Sequence, residues 1–364
     1  TVILDSVVYK LQGFVIISMM IVRSRAPLRL SFAGGGSDLP AYYEKYGGSI
    51  LNATVDIYAY CTIEDVESEL VFEASDLEVS FSYKPEPKIT GCPLKIHEGI
   101  YNRIVKDFNG GKALSISVKT YCEAPIGSGL GSSSTLTVAI IKAYAEYLNL
   151  PLGEYDLAHL AWSIEREDLG LSGGKQDQYA AAFVGLNYID FFDHYRVIVN
   201  PLRLKPNFIS EFESSLVLYF TGKSRESATI IDEHTKNISN NNSITIDAIH
   251  GIKELATLIK ESLLKSDIKT FAKYMEESWN LKKISSGKIS NSHIDKIYNL
   301  AKENGALGGK VTGAGGGGFM MFIVKPTQRM HLIKTLQDND ETGGYVLNCH
   351  LTRQGAMSWV VDSF

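Results

Sequence analysis

Apolar and polar positions alternate over residues 29–32 and again over 50–63, where β-branched and aromatic side chains dominate, and both stretches are predicted strands. Residues 115–122 (SISVKTYC) read as a further strand that runs into a glycine-serine loop. Beyond the loop Leu136, Ile140, Ala143 and Tyr147 recur at helical spacing across 132–148. A second helix is expected over 151–168, stopped by Gly170. The glycine-rich residues 169–174 then lead into a short helix over 176–183. The Asn- and Ser-rich segment 236–243 is expected to be the least structured interior stretch, with helices following at 247–264, 268–284 and 291–303. FMMFIV (Phe319–Val324) reads as a strand, 327–336 as a helix, and strands are expected near 345–351 and at Met357–Val361.

The loop PIGSGLGSSS is the strongest chemical signal. Its residues Pro125, Gly127, Gly129, Leu130, Gly131, Ser132, Ser133 and Ser134 lie directly before a predicted helix. Backbone N–H groups converge there at the positive end of the helix dipole, glycines let an anion approach the backbone, and serine hydroxyls add donors or a metal ligand. The rival reading is a glycine-rich turn capped by Ser132. The loop lacks the lysine of GxxxxGK[ST], so it is not a Walker motif.

Two more glycine runs flank it. KVTGAGGGGF from Lys310 formally contains GxGxxG, yet with a helix before it and a strand after it the context of a dinucleotide fold is missing. A flexible backbone packed beside a ligand loop is the expected role. FAGGGSDLP from Phe32 ends in Asp38, suited either to accept from substrate hydroxyls or to cap a turn or helix.

Bulk properties narrow the field further. A chain of 364 residues predicts two domains, and 45% apolar with 21% charged residues is an ordinary globular balance. A net charge of -5 supplies no basic field for nucleic acid or an anionic membrane. Cys61, Cys92, Cys122 and Cys349 form no CxxC pair and are expected as reduced core thiols. The apolar runs among the first twenty residues are too broken to span a membrane and lack a signal-peptide pattern. Residues 1–18 are expected to be an extension outside the fold, non-native or disordered. The eight histidines show no zinc spacing, and no nucleophile elbow is present.

The three glycine runs, in this order, resemble the GHMP kinases, the superfamily of galactokinase, homoserine kinase, mevalonate kinase and phosphomevalonate kinase. RAPLRLSFAGGGSDL is similar to the first family motif, roughly APGRxNLxGEHTDY, with Gly35 and Gly36 replacing the Glu-His pair, which argues against galactose. Together with GLSGGKQDQYAAAF and YFTGKSR at Tyr219, it resembles the bacterial D-glycero-D-manno-heptose 7-phosphate kinases, and in the first motif also fucokinases.

The resemblance implies an α+β, two-domain fold: an N-terminal ATP-binding domain over 19–205 and a C-terminal ferredoxin-like domain over 206–364. It implies ATP and Mg2+ as cofactors, a sugar phosphate as acceptor, and transfer to the anomeric hydroxyl. A cytoplasmic location follows, and a homodimer is compatible with it. Asp177 matches the acidic residue that would take or orient the acceptor proton, its alternative being an N-cap. Arg29 matches a basic residue that could stabilise the leaving phosphoryl charge, or else is a surface strand-end arginine. Glu165 matches the metal ligand, completed by the hydroxyl of Ser132 or Ser133, with Glu167 as a competing carboxylate. Gly35, Gly36, Ser37 and Asp38 would meet the sugar. Lys175, Lys223 and Arg225 are candidates for its phosphate. A kinase of an unphosphorylated sugar and a catalytically silent sugar sensor are the rival functions.

Overall fold

The computed structural model describes residues 10–11, 14–15, 19–193, 196–224 and 227–361. Apart from a short ladder of β1 (Lys10–Leu11) with β2 (Phe14–Val15), the expectation for 1–18 lies outside the described residues, as does the one for Arg225.

Two sheets organise the chain. The larger has eight strands, built on β3 (Ile21–Ala33) and the 18-residue β4 (Gly48–Asp65), which pair antiparallel. On its other edge β4 splits its partners. Its first half pairs with β8 (Leu186–Phe191), itself followed by β9 (Val197–Pro201), and its second half with β7 (Ile116–Cys122). β7 continues in parallel to β5 (Leu70–Ala74), and β6 (Val79–Tyr83) closes that side. The smaller sheet is antiparallel, ordered β11 (Ala306–Val311), β12 (Phe319–Val324), β10 (Leu216–Phe220), β13 (Tyr345–Leu347). Helices cover both sheets, as expected of an α+β chain.

Three local expectations change. The Asn-rich stretch is the end of α7 (Ala228–Ser239) and the cap of α8 (Ser243–Leu264). Asn241 takes the left-handed conformation at φ 55°, and the Asn242 side chain accepts from the Thr245 N–H at 3.1 Å. The composition that suggests a loop is here the chemistry of two helix ends. The helix expected over 151–168 is α4 (Glu154–Ser163) followed by a π-turn, Ile164–Asp168. A strand, β11, precedes the KVTGAGGGGF glycines instead of a helix, so this run is the tip of a β-hairpin.

The far end of the chain does not respect a boundary at 205/206. β14 (Met357–Val361) pairs with β3 as an edge strand of the larger sheet. The aromatic core also crosses that boundary: Phe32 of β3, Phe212 of α6 (Pro206–Ser215) and Phe271 of α9 (Ile268–Ser285) meet edge-to-face with centroids 5.2–5.6 Å apart. Such pairs favour fixed relative geometry beyond the area they bury. They brace β3 against α9, and the walls of the cavity described next rest on both.

Candidate active site

The sequence between β7 and α3 (Ser132–Tyr147) folds as a glycine loop that leads into an uncapped helix start, a shape suited to an anion. Gly127, Gly129 and Gly131 take φ of 74°, 82° and 78°, a region that L-residues avoid. Gly131 is the N-cap of α3, with no side chain capping the first turn. The Ser132 cap alternative is therefore not what forms. The uncapped N–H groups of that turn and the helix dipole face a cavity of about 350 Å3 lined by Gly127, Gly129, Gly131, Ser132, Ser133 and Ser134. Pro125 accepts from Ser128 N–H at the loop's start, and Leu130 is buried with its carbonyl accepting from Arg29 N–H at 3.1 Å.

The hairpin tip between β11 and β12 packs on this loop. Phe319 N–H donates to the Ser128 carbonyl at 2.9 Å, and a Cβ on Gly129 would lie 2.7 Å from the Thr312 carbonyl oxygen. The third glycine run thus supports the first through backbone contact, the role expected of it. Lys310 of β11 reaches across the interface and donates to the carbonyls of Ser31 (3.0 Å) and Phe32 (3.2 Å).

Opposite the cradle, Asp177 sits in the first turn of α5 (Gln176–Ala182) and caps nothing. Arg29 of β3 donates from Nε to Asp177 Oδ1 at 2.9 Å, its Nη2 lies 2.7 Å from the same oxygen, and its Nη1 donates to the Gly129 carbonyl at 2.5 Å. Far from being a surface arginine, Arg29 is 4% exposed. One guanidinium therefore ties a carboxylate to the glycine-serine loop. Asp177 Oδ2 has no hydrogen-bond partner among the described residues and lies 3.4 Å from where a Cβ on Gly131 would stand.

Helical periodicity decides which carboxylate faces inward. Glu165 continues the buried stripe of Leu157, Ala158 and Ala161, whereas Glu167 is exposed. Glu165 Oε2 accepts from Ser134 Oγ (2.8 Å) and Gln178 Nε2 (2.6 Å) and pairs with Arg166 (3.1 Å), while Oε1 accepts from Thr137 Oγ1 at 2.6 Å. The serine that meets Glu165 is thus Ser134, and Ser133 is exposed toward the cavity. One lone pair remains on Oε1. A carboxylate oxygen with a serine hydroxyl nearby fits Mg2+, which retains waters and phosphate oxygens as its other ligands.

Of the expected sugar-side residues, Gly35, Gly36 and Asp38 line the cavity. Asp38 accepts from the N–H groups of Gly36 and Gln176, both at 3.2 Å. Burial, reinforced by the Asp177 charge, pushes its carboxyl above the usual range. Ser37 is turned away, fully buried and donating to the Gly34 carbonyl at 2.8 Å. Lys175 is not brought to the cavity either. It is fully buried with its ammonium 4.7 Å from the ring centroids of both Tyr43 and Trp162, and burial lowers its pKa to about 8. Lys223 contributes a carbonyl, which accepts from Gly318 N–H at 2.8 Å.

The sequence reading missed Lys282 and His234. Both line the cavity and are more than nine-tenths buried. Burial and the Arg29 charge bring the Lys282 pKa down to about 8. A signal was available: the buried face of α9 runs Phe271, Met275, Ser278, Trp279, Lys282, and a lysine on an apolar stripe needs a reason.

Comparisons with known proteins agree with this geometry. The GHMP kinases N terminal domain model matches residues 95–185 and the GHMP kinases C terminal model residues 259–335. A D-glycero-alpha-D-manno-heptose 7-phosphate kinase from Campylobacter jejuni is 48% identical over 94% of this chain and 99% of its own length. The chain belongs to the GHMP kinases. A crystal structure of a D-glycero-D-manno-heptose 1-phosphate kinase from Bacteroides thetaiotaomicron superposes with a TM-score of 0.80 at 42% identity, covering 94% of this chain and all of that one. The bifunctional fucokinase/GDP-fucose pyrophosphorylase of Arabidopsis thaliana is 26% identical over 88% of this chain and 32% of its own length. Members of the family are phosphotransferases acting on a hydroxyl group with ATP as donor. No helix among the described residues is long and apolar enough to cross a membrane.

Proposed function

We propose that this GHMP kinase transfers the γ-phosphoryl group of ATP to the anomeric hydroxyl of D-glycero-D-manno-heptose 7-phosphate, giving the 1,7-bisphosphate. The transfer is supported by the Arg29–Asp177 pair, fixed by the same guanidinium to the Gly129 carbonyl of the glycine-serine loop, and the choice of sugar by the 48% identity to a heptose 7-phosphate kinase. A hydroxyl placed beside Asp177 Oδ2 would stand close to a phosphoryl group held over Gly131, where a Cβ would lie 3.4 Å from that oxygen.

Phosphoryl transfer proceeds through a loose transition state, so positioning and charge stabilisation outweigh covalent help. Asp177 orients the acceptor hydroxyl and accepts its proton through Oδ2. Arg29 holds that carboxylate in place and presents positive charge beside the transferring group. The uncapped turn of α3 binds the polyphosphate. Glu165 Oε1, with the hydroxyl of Ser133 or Ser134, would hold Mg2+, which supplies neutralisation of the polyphosphate charge when bound.

The names of the two similar proteins place the existing phosphate at opposite ends, position 7 in one and position 1 in the other, though either substrate yields the same bisphosphate. Purified protein with ATP and magnesium should therefore be offered the 7-phosphate, the 1-phosphate, the free heptose and fucose, with products read by phosphorus NMR. A new anomeric phosphate signal from the 7-phosphate alone is the expected result. Efficient turnover of fucose, or of the 1-phosphate in preference, would overturn it. The cytoplasm, where ATP and sugar phosphates are held, is the proposed place of action.

A further inference from the structure

Polar groups of the other half of the chain stand at contact distance beside the two adjacent glycines of the sugar-side loop, with Ile249 of α8 also against Gly36. A Cβ on Gly35 would stand 3.8 Å from Lys282 Nζ of α9, and a Cβ on Gly36 would stand 3.9 Å from His234 Nδ1 of α7. We infer that Lys282 and His234 form a donor–acceptor pair over the Gly35–Gly36 backbone that selects a polyhydroxylated substrate, Lys282 donating to a substrate oxygen and His234 Nδ1 accepting from a substrate hydroxyl. This rests on the sugar-phosphate kinase reading of the cavity and names two of its specificity-determining residues.

The tautomer of His234 follows from its neighbour. Ser285 Oγ has one proton, which it donates to the Lys282 carbonyl at 2.7 Å. Its contact with His234 Nε2 at 3.0 Å must then be an N–H donated by the imidazole to the serine oxygen. Nδ1 is left with its lone pair, has no hydrogen-bond partner among the described residues, and faces the cavity beside Gly36. Burial, with the Lys282 charge next to it, pushes the imidazole down to about 4, so it remains a neutral acceptor at neutral pH. Lys282 contributes the opposite character. Its ammonium donates to the Gly313 carbonyl in the hairpin tip, and two of its three N–H groups remain for substrate oxygen. A buried acceptor that must be satisfied by a substrate hydroxyl discriminates strongly, because a ligand without that hydroxyl leaves it unpaired.

The test compares His234→Ala, His234→Asn, Ser285→Ala and Lys282→Met with the wild type, on whichever sugar phosphate of the panel the wild type phosphorylates. Asparagine places its carbonyl oxygen close to the Nδ1 position, so it serves as the conservative rescue. For His234→Ala the KM for the sugar phosphate should rise at least tenfold while the KM for ATP stays within about twofold. His234→Asn should recover most of that loss, Ser285→Ala should lose a fraction of it through a freed ring, and Lys282→Met should raise the sugar KM alone. Equal sugar KM in wild type and His234→Ala, or failure of His234→Asn to recover more than a void does, would overturn the inference and leave the kinase reading intact. A wild type that phosphorylates no sugar phosphate would overturn both.

Discussion

Replacing Arg29 with lysine keeps the charge and removes the shape. The guanidinium spans two targets, with Nε and Nη2 on Asp177 Oδ1 at 2.9 and 2.7 Å and Nη1 on the Gly129 carbonyl. An ammonium is a point donor and cannot hold the carboxylate and the loop carbonyl at these separations together. At least one charge-assisted hydrogen bond is lost and Asp177 gains freedom to rotate. Each such bond contributes about 1.5–3 kcal/mol. A loss of about 2–4 kcal/mol of transition-state stabilisation corresponds to roughly 30- to 1000-fold in kcat/KM. The assay is steady-state ADP release with sugar phosphate varied at saturating ATP, accompanied by a thermal unfolding curve to show that the fold persists. Arg29→Lys with kcat/KM within fivefold of wild type and an unchanged Tm would refute the claim that the forked geometry matters.

Further expectations follow from single contacts. Gly129→Ala adds a Cβ at φ 82° and only 2.7 Å from backbone oxygen of Thr312, so both Tm and ATP affinity should fall, the latter at least tenfold. Gly170→Ala, at φ 63° in open space, should cost roughly 1–2 kcal/mol of stability through left-handed strain, read as a lower Tm, with ATP affinity unchanged. Glu165→Gln should raise the magnesium concentration for half-maximal rate at least tenfold while the sugar KM stays within threefold. Lys282, depressed to about 8, is charged below that pH and neutral above it. The KM for the sugar phosphate should therefore climb as pH passes about 8, and Lys282→Met should flatten that limb. The other charged and titratable groups around Lys282 are Arg29 and Asp38 on the β3 side, Lys310 of β11 and His234 of α7, and the profile should be fitted with them in view.

Much of this site was legible in the sequence, because glycines and helix starts have local consequences. PIGSGLGSSS alone leaves an anion cradle and a capped turn both open, and the uncapped first turn of α3 disfavours the second; the supporting hairpin is readable in KVTGAGGGGF once strands are placed on both sides. Residues whose role depends on distant packing were harder. Lys175 looked like a phosphate ligand by composition but is stacked between Tyr43 and Trp162, and Ser37 reads as polar but is spent on the Gly34 carbonyl. The serine that bonds Glu165 is Ser134 and not Ser132 or Ser133, because α3 turns about 100° per residue and Ser134 shares with Thr137, one turn on, the face that meets Glu165. His234 and Lys282 come from helices of the second half and meet Gly35 and Gly36 only through the tertiary fold. No spacing rule would have joined them.

Asp177 Oδ2, beside the glycine-serine loop, is the atom proposed to handle the acceptor hydroxyl. Asp177→Asn preserves size and leaves an oxygen for Arg29 while removing the basic carboxylate. Measured with ATP, magnesium and heptose 7-phosphate, its kcat should fall by roughly 10²–10⁴ with the ATP dissociation constant within about threefold of wild type. Turnover within tenfold of wild type would show that Asp177 is not the group that takes the acceptor proton.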